Sequence, residues 1–380
     1  MRIRARHYAS GEPVDITCEG ARIRSVQSPS SLPPDHSGEW VAPAFFDIQV
    51  NGCGGKSFHS MELTIDDVEE IADACRRHGT LSFCPTVLTD SFEAMVHGLR
   101  TIQRARDGDP ELAAAIPTIH LEGPYLSAED GPRGAHPWMH VRPPDWDEFC
   151  RLQEAAGGLI RLVTLAPERE GAIPFIEKLA DENIVVALGH TAASGACIAD
   201  AVRAGARLST HLGNGAHLLL PRQANYIWEQ LAEDRLWASL ICDGEHLTAA
   251  VARCIVRMKT PEHSILISDV SSLAGLPAGR YAEWNQEFDV LANGKIVIAE
   301  SDYLAGSPGF LDACIGNAVQ DTGVALAEAI DMAGARPAEL LGLPVRHLQR
   351  GDPTDLVLFD WDGELRVTAT IRGGQWESYV

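Results

Sequence analysis

The stretch Ile116-Pro117-Thr118-Ile119-His120-Leu121-Glu122-Gly123-Pro124 decides the architecture. Apolar and β-branched residues lead to a histidine and a glutamate, and Gly-Pro then breaks the run. A strand covered on both faces reads this way, with its carboxylate at the carboxyl end. In a barrel of alternating strands and helices, that end carries the loops that surround a substrate while the strands hold reactive groups still.

Working outward, the flanking sequence repeats the same alternation. Residues 41–50 form a nearly continuous apolar run that ends in Asn51-Gly52-Cys53-Gly54-Gly55. Thr64 and Asp67 pair as a helix start, Ile65, Val68, Ile71, Ala72 and Cys75 share one face, and Gly79 supplies the stop. Strands are predicted at 81–87, 116–122, 160–166, 184–188, 207–212, 238–242 and 264–267, with helices between them. Counting 41–50, that makes eight strands, the pattern of a (β/α)8 TIM-type barrel in an α/β protein. The alternation then breaks at 281–298, where Asn293-Gly294 reads as a hairpin turn, and helical stretches follow over 311–334 and from Pro337. Residues 1–42 and 346–380 hold short β-like pieces, each too small to bury a core alone. They are expected to pair as one small β-sandwich domain beside a barrel spanning 43–345.

Composition narrows the function. A formal net charge of −22 over 380 residues argues against a nucleic acid or an anionic membrane as partner, since either needs a basic stripe. The nine cysteines stand singly, with no C-x-x-C pair, and read as reduced thiols of a cytoplasmic protein. The charged Met1-Arg2-Ile3-Arg4-Ala5-Arg6 has no apolar core behind it and no run of eighteen apolar residues occurs, so neither secretion nor membrane spanning is expected.

Each predicted strand delivers polar groups at the same end. The first gives Gln49 and Asn51, the third His120 and Glu122, the fifth His190, the sixth His211, the seventh Asp243 with His246, and the eighth Asp269. Two imidazoles and a carboxylate from three strands are ligands that a catalytic divalent ion takes, with one position left for water. Asp269 is then placed to accept the proton of that water.

The chain resembles the N-acetylglucosamine-6-phosphate deacetylases of the amidohydrolase superfamily. The matching stretches run nearly end to end. They include 43–55, His120 to Pro124, Arg133-Gly134-Ala135-His136-Pro137, Gly189-His190-Thr191, Thr210-His211-Leu212-Gly213-Asn214, Asp243-Gly244-Glu245-His246, Ser268-Asp269 and Leu304-Ala305-Gly306-Ser307. The resemblance implies Glu122, His190 and His211 as metal ligands and Asp269 as the general base that later protonates the leaving amine. It implies His136 as the residue that polarises the acyl carbonyl and His246 as a contact to sugar or phosphate. An acetamide is a poor electrophile, so both a Lewis acid and a proton shuttle are needed.

Two departures matter. Many amidohydrolases carry His-x-His on the first strand as ligands of a second metal; here the residues are Gln49-Val50-Asn51, and an amide is a poor ligand for a transition metal. One divalent ion per subunit is therefore expected, zinc first and iron or another divalent ion as alternatives, with Gln49 and Asn51 as hydrogen-bonding neighbours that also face the substrate. The loop after His211 reads Asn214-Gly215-Ala216-His217 and Pro221-Arg222-Gln223. Asn214 and Gly215 offer an amide and a backbone N–H to an anion, and Arg222 is the candidate guanidinium for a phosphate. The resemblance implies a homodimer in which Arg222 reaches the neighbouring site. The expected partner is thus a small-molecule amino sugar, N-acetylglucosamine 6-phosphate. The alternatives are an unphosphorylated N-acetyl amino sugar, an N-acyl amino acid, or a barrel that only binds.

Overall fold

The computed structural model describes residues 1–379. Eight parallel strands line up as Phe45–Val50, Thr80–Leu88, Ile119–Glu122, Ile160–Leu165, Val185–Leu188, Ala206–Ser209, Trp237–Ile241 and Ser264–Ile267, each hydrogen-bonded to the next. The first and last close the ring where Asp269 N donates to Gln49 O (3.0 Å) and Asn51 N to Val270 O (3.1 Å). The first, second, third, fifth, seventh and eighth strands are buried along their whole length, which is why their sequences are apolar runs and not alternations. The helices between them begin on side-chain caps, except Ala172–Asp181, which begins on Gly171. Thr64 and Asp67 form the expected capping box, and Ser91, Asp145, Ser194, Asn225 and Thr248 each accept from a backbone N–H of the first turn.

One apolar run serves two sheets. Ala44 N donates to Asp355 O and Phe45 N donates to Gly79 O, both at 3.0 Å, so pairing changes partner between adjacent residues. Residues 41–43 therefore belong to the strand His36–Pro43 and not to the barrel strand predicted from 41, because hydrophobicity does not change across the switch. Gly79, at φ +78°, lets this junction close: a Cβ there would lie 2.8 Å from both Phe45 and Val357.

Strands from both ends of the chain share one seven-stranded sheet in the order Gln375–Ser378, Leu365–Arg372, Leu356–Trp361, His36–Pro43, Arg2–His7, Pro13–Glu19, Arg22–Gln27. All neighbours are antiparallel except Arg2–His7 with His36–Pro43. After the eighth barrel strand comes a three-stranded antiparallel sheet, Gly279–Glu283, Gln286–Val290 and Ile296–Ile298. Its second hairpin turns at the expected Asn293-Gly294. Its first turns on Trp284-Asn285, both at positive φ (60° and 56°), a geometry that carries Trp284 toward the barrel mouth. The predicted helical stretch 311–334 divides into Leu311–Thr322 and Leu326–Met332 around Gly323 at φ +80°. Among the described residues, no helix is long and apolar enough to cross a membrane.

Candidate metal centre

At the carboxyl end of the barrel, Glu122 Oε1 lies 3.1 Å from His190 Nε2 and 3.1 Å from His211 Nε2, and the two imidazole nitrogens are 3.0 Å apart. Two ring nitrogens cannot both turn lone pairs toward each other at that distance without a proton or a cation between them. A tetrahedral ion with bonds of about 2.0–2.1 Å holds its ligand atoms about 3.3 Å apart, so the triangle is within a few tenths of an ångström of what such an ion requires. One donor atom each of Glu122, His136 and His190 also lie within 4.8 Å of one another, which brings His136 to the edge of the same cluster. Only one of the two ligand rings is braced from behind. His190 Nδ1 is 2.9 Å from Pro132 O, while His211 Nδ1 has no partner.

The electrostatics match a cation site. Burial opposes ionisation of Glu122, yet hydrogen bonds and charge from His190 and His211 outweigh it and hold the carboxyl well below its usual range. Burial also works against protonated His211, and Glu122 reverses it, so His211 is raised. Asp269 is raised by burial and then by the Glu122 charge. His136 is pushed well below its ordinary value, by burial first and then by the neighbouring His190, so its ring is neutral.

Gln49 and Asn51 tie the two carboxylates together. Gln49 Nε2 stands 2.8 Å from Glu122 Oε2 and 3.0 Å from Asp269 Oδ1, and Asn51 Nδ2 donates to Asp269 Oδ1 at 2.8 Å. Both side chains act here as donors to acids, and Asn51 Oδ1 remains buried without a partner. His120, two residues before Glu122, points away into a chain of hydroxyls: its Nε2 is 2.8 Å from Thr164 Oγ1, itself 2.8 Å from Thr210 Oγ1.

A cavity of about 420 Å³ opens over this cluster. Asn51, Glu122, His136, His190, His211, Asn214, Gly215, His246 and Asp269 all line it. Gln49 is buried beneath, in contact with Glu122 and Asp269. Asp243 orients His246, accepting from Nδ1 at 2.7 Å and from the backbone N–H groups of Glu245 and His246 at 2.9 Å. Arg222 stands apart: it is exposed and absent from the lining, and its carbonyl accepts from Trp228 Nε1 at 3.3 Å. None of the described lining residues is Lys or Arg. The sequence reading missed His59, Glu283 and Trp284, which border the same cavity. Trp284 sits between two histidines, its ring 4.5 Å from His59 and 5.4 Å from His136. The signal for it was the two-residue turn it occupies, which apolar patterning does not reveal.

The Amidohydrolase family model matches residues 40–376. A Bos taurus N-acetylglucosamine-6-phosphate deacetylase is 35% identical over 376 residues, covering 96% of this chain and 88% of that protein. An Escherichia coli O157:H7 N-acetylgalactosamine-6-phosphate deacetylase is also 35% identical, over 311 residues, 81% of this chain and 80% of that protein. Among solved structures, a mutant of the Mycobacterium smegmatis N-acetyl-D-glucosamine-6-phosphate deacetylase in complex with N-acetyl-D-glucosamine-6-phosphate superposes with a TM-score of 0.89 at 31% identity, covering 99% of this chain and 98% of that one.

Proposed function

This chain belongs to the amidohydrolase family, and from that premise we propose that it hydrolyses the N-acetyl group of N-acetylglucosamine 6-phosphate, giving glucosamine 6-phosphate and acetate. The observation that carries this reading is the Glu122, His190 and His211 triangle with Asp269 linked to it through Gln49. Those three residues would hold one divalent ion, with zinc the first choice for a His, His, Glu set and iron or another divalent ion also suited to it. When bound, the ion supplies a Lewis acid that makes water nucleophilic at neutral pH. Asp269 takes the proton of the attacking water. It later delivers that proton to the amine nitrogen, so that the C–N bond breaks with a neutral leaving group. Its raised affinity for a proton suits both halves of this task. His136, neutral and beside His190, donates to the carbonyl oxygen as negative charge develops there. Gln49 bridges the two carboxylates and, with Asn51, holds them fixed.

His246, Asn214, Gly215 and Asn51 face the sugar end of the cavity. With no Lys or Arg in the lining, the 6-phosphate needs a cation from outside the protomer. Arg222, exposed on a loop beyond Gly215, supplies it to a neighbouring copy in a homodimer. The nine free thiols fit a reducing, cytoplasmic compartment. In this reading the catalytic barrel runs from the partner switch at Ala44 to 345, and the residues before it with 346–380 form the flanking β-domain.

The Escherichia coli relative favours a second reading of the sugar, the galactosamine epimer. One experiment addresses both. Acetate release is measured from N-acetylglucosamine 6-phosphate, N-acetylgalactosamine 6-phosphate and unphosphorylated N-acetylglucosamine. A kcat/KM at least about 100-fold higher for the glucosamine phosphate than for the unphosphorylated sugar is expected, from loss of a charge-assisted phosphate contact. Equal values would remove the phosphate from the reading, and a preference for the galactosamine phosphate would establish the second epimer.

A further inference from the structure

We infer that Thr89 is a positioning residue that fixes His136 in the tautomer carrying its proton on Nε2. The inference rests on the deacylase reading for its kinetic consequence, though not for the placement of the proton. Thr89 follows the second barrel strand and is wholly buried, and its Oγ1 lies 2.9 Å from His136 Nδ1. Among the described residues, that hydroxyl makes no other hydrogen bond. The hydrogens can be shared in two ways. If Nδ1–H donates to Oγ1, the threonine hydrogen is left in the interior with no acceptor, and Nε2 presents a lone pair to the cavity. If Oγ1–H donates to Nδ1, both atoms are satisfied and Nε2 keeps its hydrogen. Only the second arrangement lets a neutral His136 donate to an acyl oxygen.

The surroundings hold Thr89 for this purpose. Trp284 Nε1 donates to Thr89 O at 2.9 Å, and the Trp284 ring packs 5.4 Å from His136, so the inserted hairpin locks both partners. Gly123, next to Glu122, makes the room: a Cβ at that position would lie 2.1 Å from Thr89 Oγ1, and its φ of +82° is one that glycine adopts freely. Gln286 Nε2 donates to Ala135 O at 2.7 Å, which ties the His136 loop to the same hairpin.

The test compares wild type with Thr89→Val, which keeps the shape and loses the hydroxyl, and Thr89→Ser, which restores it. Ring ¹⁵N shifts of His136 in the zinc-loaded protein, assigned by their loss in His136→Gln, report which nitrogen is protonated. The wild type and Thr89→Ser are expected to show Nε2–H, with kcat within about threefold of each other. Thr89→Val is expected to lose that preference, with kcat falling roughly 10- to 100-fold, KM within about threefold and metal content unchanged. A wild-type spectrum showing Nδ1–H overturns the inference whatever Thr89→Val does, as does a Thr89→Val enzyme that keeps both Nε2–H and wild-type kcat. If wild type releases no acetate from any substrate, the deacylase reading fails, and the ¹⁵N spectrum still decides the tautomer.

Discussion

The Gln49 side-chain amide donates to Glu122 Oε2 across 2.8 Å, occupying the carboxylate oxygen that the histidines leave free. Glu122 therefore presents Oε1 alone to the His190 and His211 nitrogens, and where many amidohydrolases have a histidine ligand this chain has a donor. Gln49→Ala should weaken metal binding or activity roughly 10- to 100-fold, because the carboxylate loses the partner that orients it. Metal titration of stripped protein measures this, and wild-type protein should saturate at one ion per subunit.

Arg222 acts, in this account, on the phosphate of a neighbouring subunit. Arg222→Ala should raise KM for the phosphorylated substrate about 10- to 100-fold and leave the slow turnover of the unphosphorylated sugar unchanged. Steady-state kinetics on both sugars separate this from a general loss of activity.

Asp47, on the first barrel strand, is buried and accepts from Gln49 N at 3.1 Å and Ser268 N at 3.2 Å. Burial first, then the charge of Asp269, pushes its pKa up to about 7 against the hydrogen bonds that favour ionisation. An acid raised on folding keeps its proton in the native state while the unfolded chain has released it. Stability contributed by this group is thus complete below about pH 4 and is lost as pH climbs toward 7, at up to about 1.4 kcal/mol per pH unit. Urea unfolding at several pH values between 5 and 7.5 should show the decline in wild type and a flatter profile in Asp47→Asn.

Gly123→Ala would place a methyl 2.1 Å from Thr89 Oγ1 at a φ of +82°. It should cost about 1–3 kcal/mol of stability and also reduce kcat, since Thr89 must move. Chemical unfolding and kinetics on the same preparation check both halves.

Much of this was readable in the chain. Doubly buried strands have no polar face, so their apolar runs and the caps between them located all eight barrel strands. The common end of those strands then gathered Glu122, His190, His211 and Asp269 before any distance was known. Other features were not readable, for physical reasons. The partner switch at Ala44 changes hydrogen-bonding without changing hydrophobicity. Trp284 enters the cavity because two consecutive residues adopt positive φ, and neither Trp284 nor Asn285 is the glycine that usually marks such a turn. Arg222 matched a charge-based role by type, and its exposure within one protomer shows only in three dimensions.

The most direct test of the central claim is Asp269→Asn, assayed for metal content and for acetate release from N-acetylglucosamine 6-phosphate in one preparation. Glu122, His190 and His211 are untouched in this variant, so one ion per subunit should remain while kcat falls by roughly 100- to 10,000-fold with little change in KM. A variant that keeps its metal and its full kcat would contradict the assignment of Asp269 as the group that moves the proton.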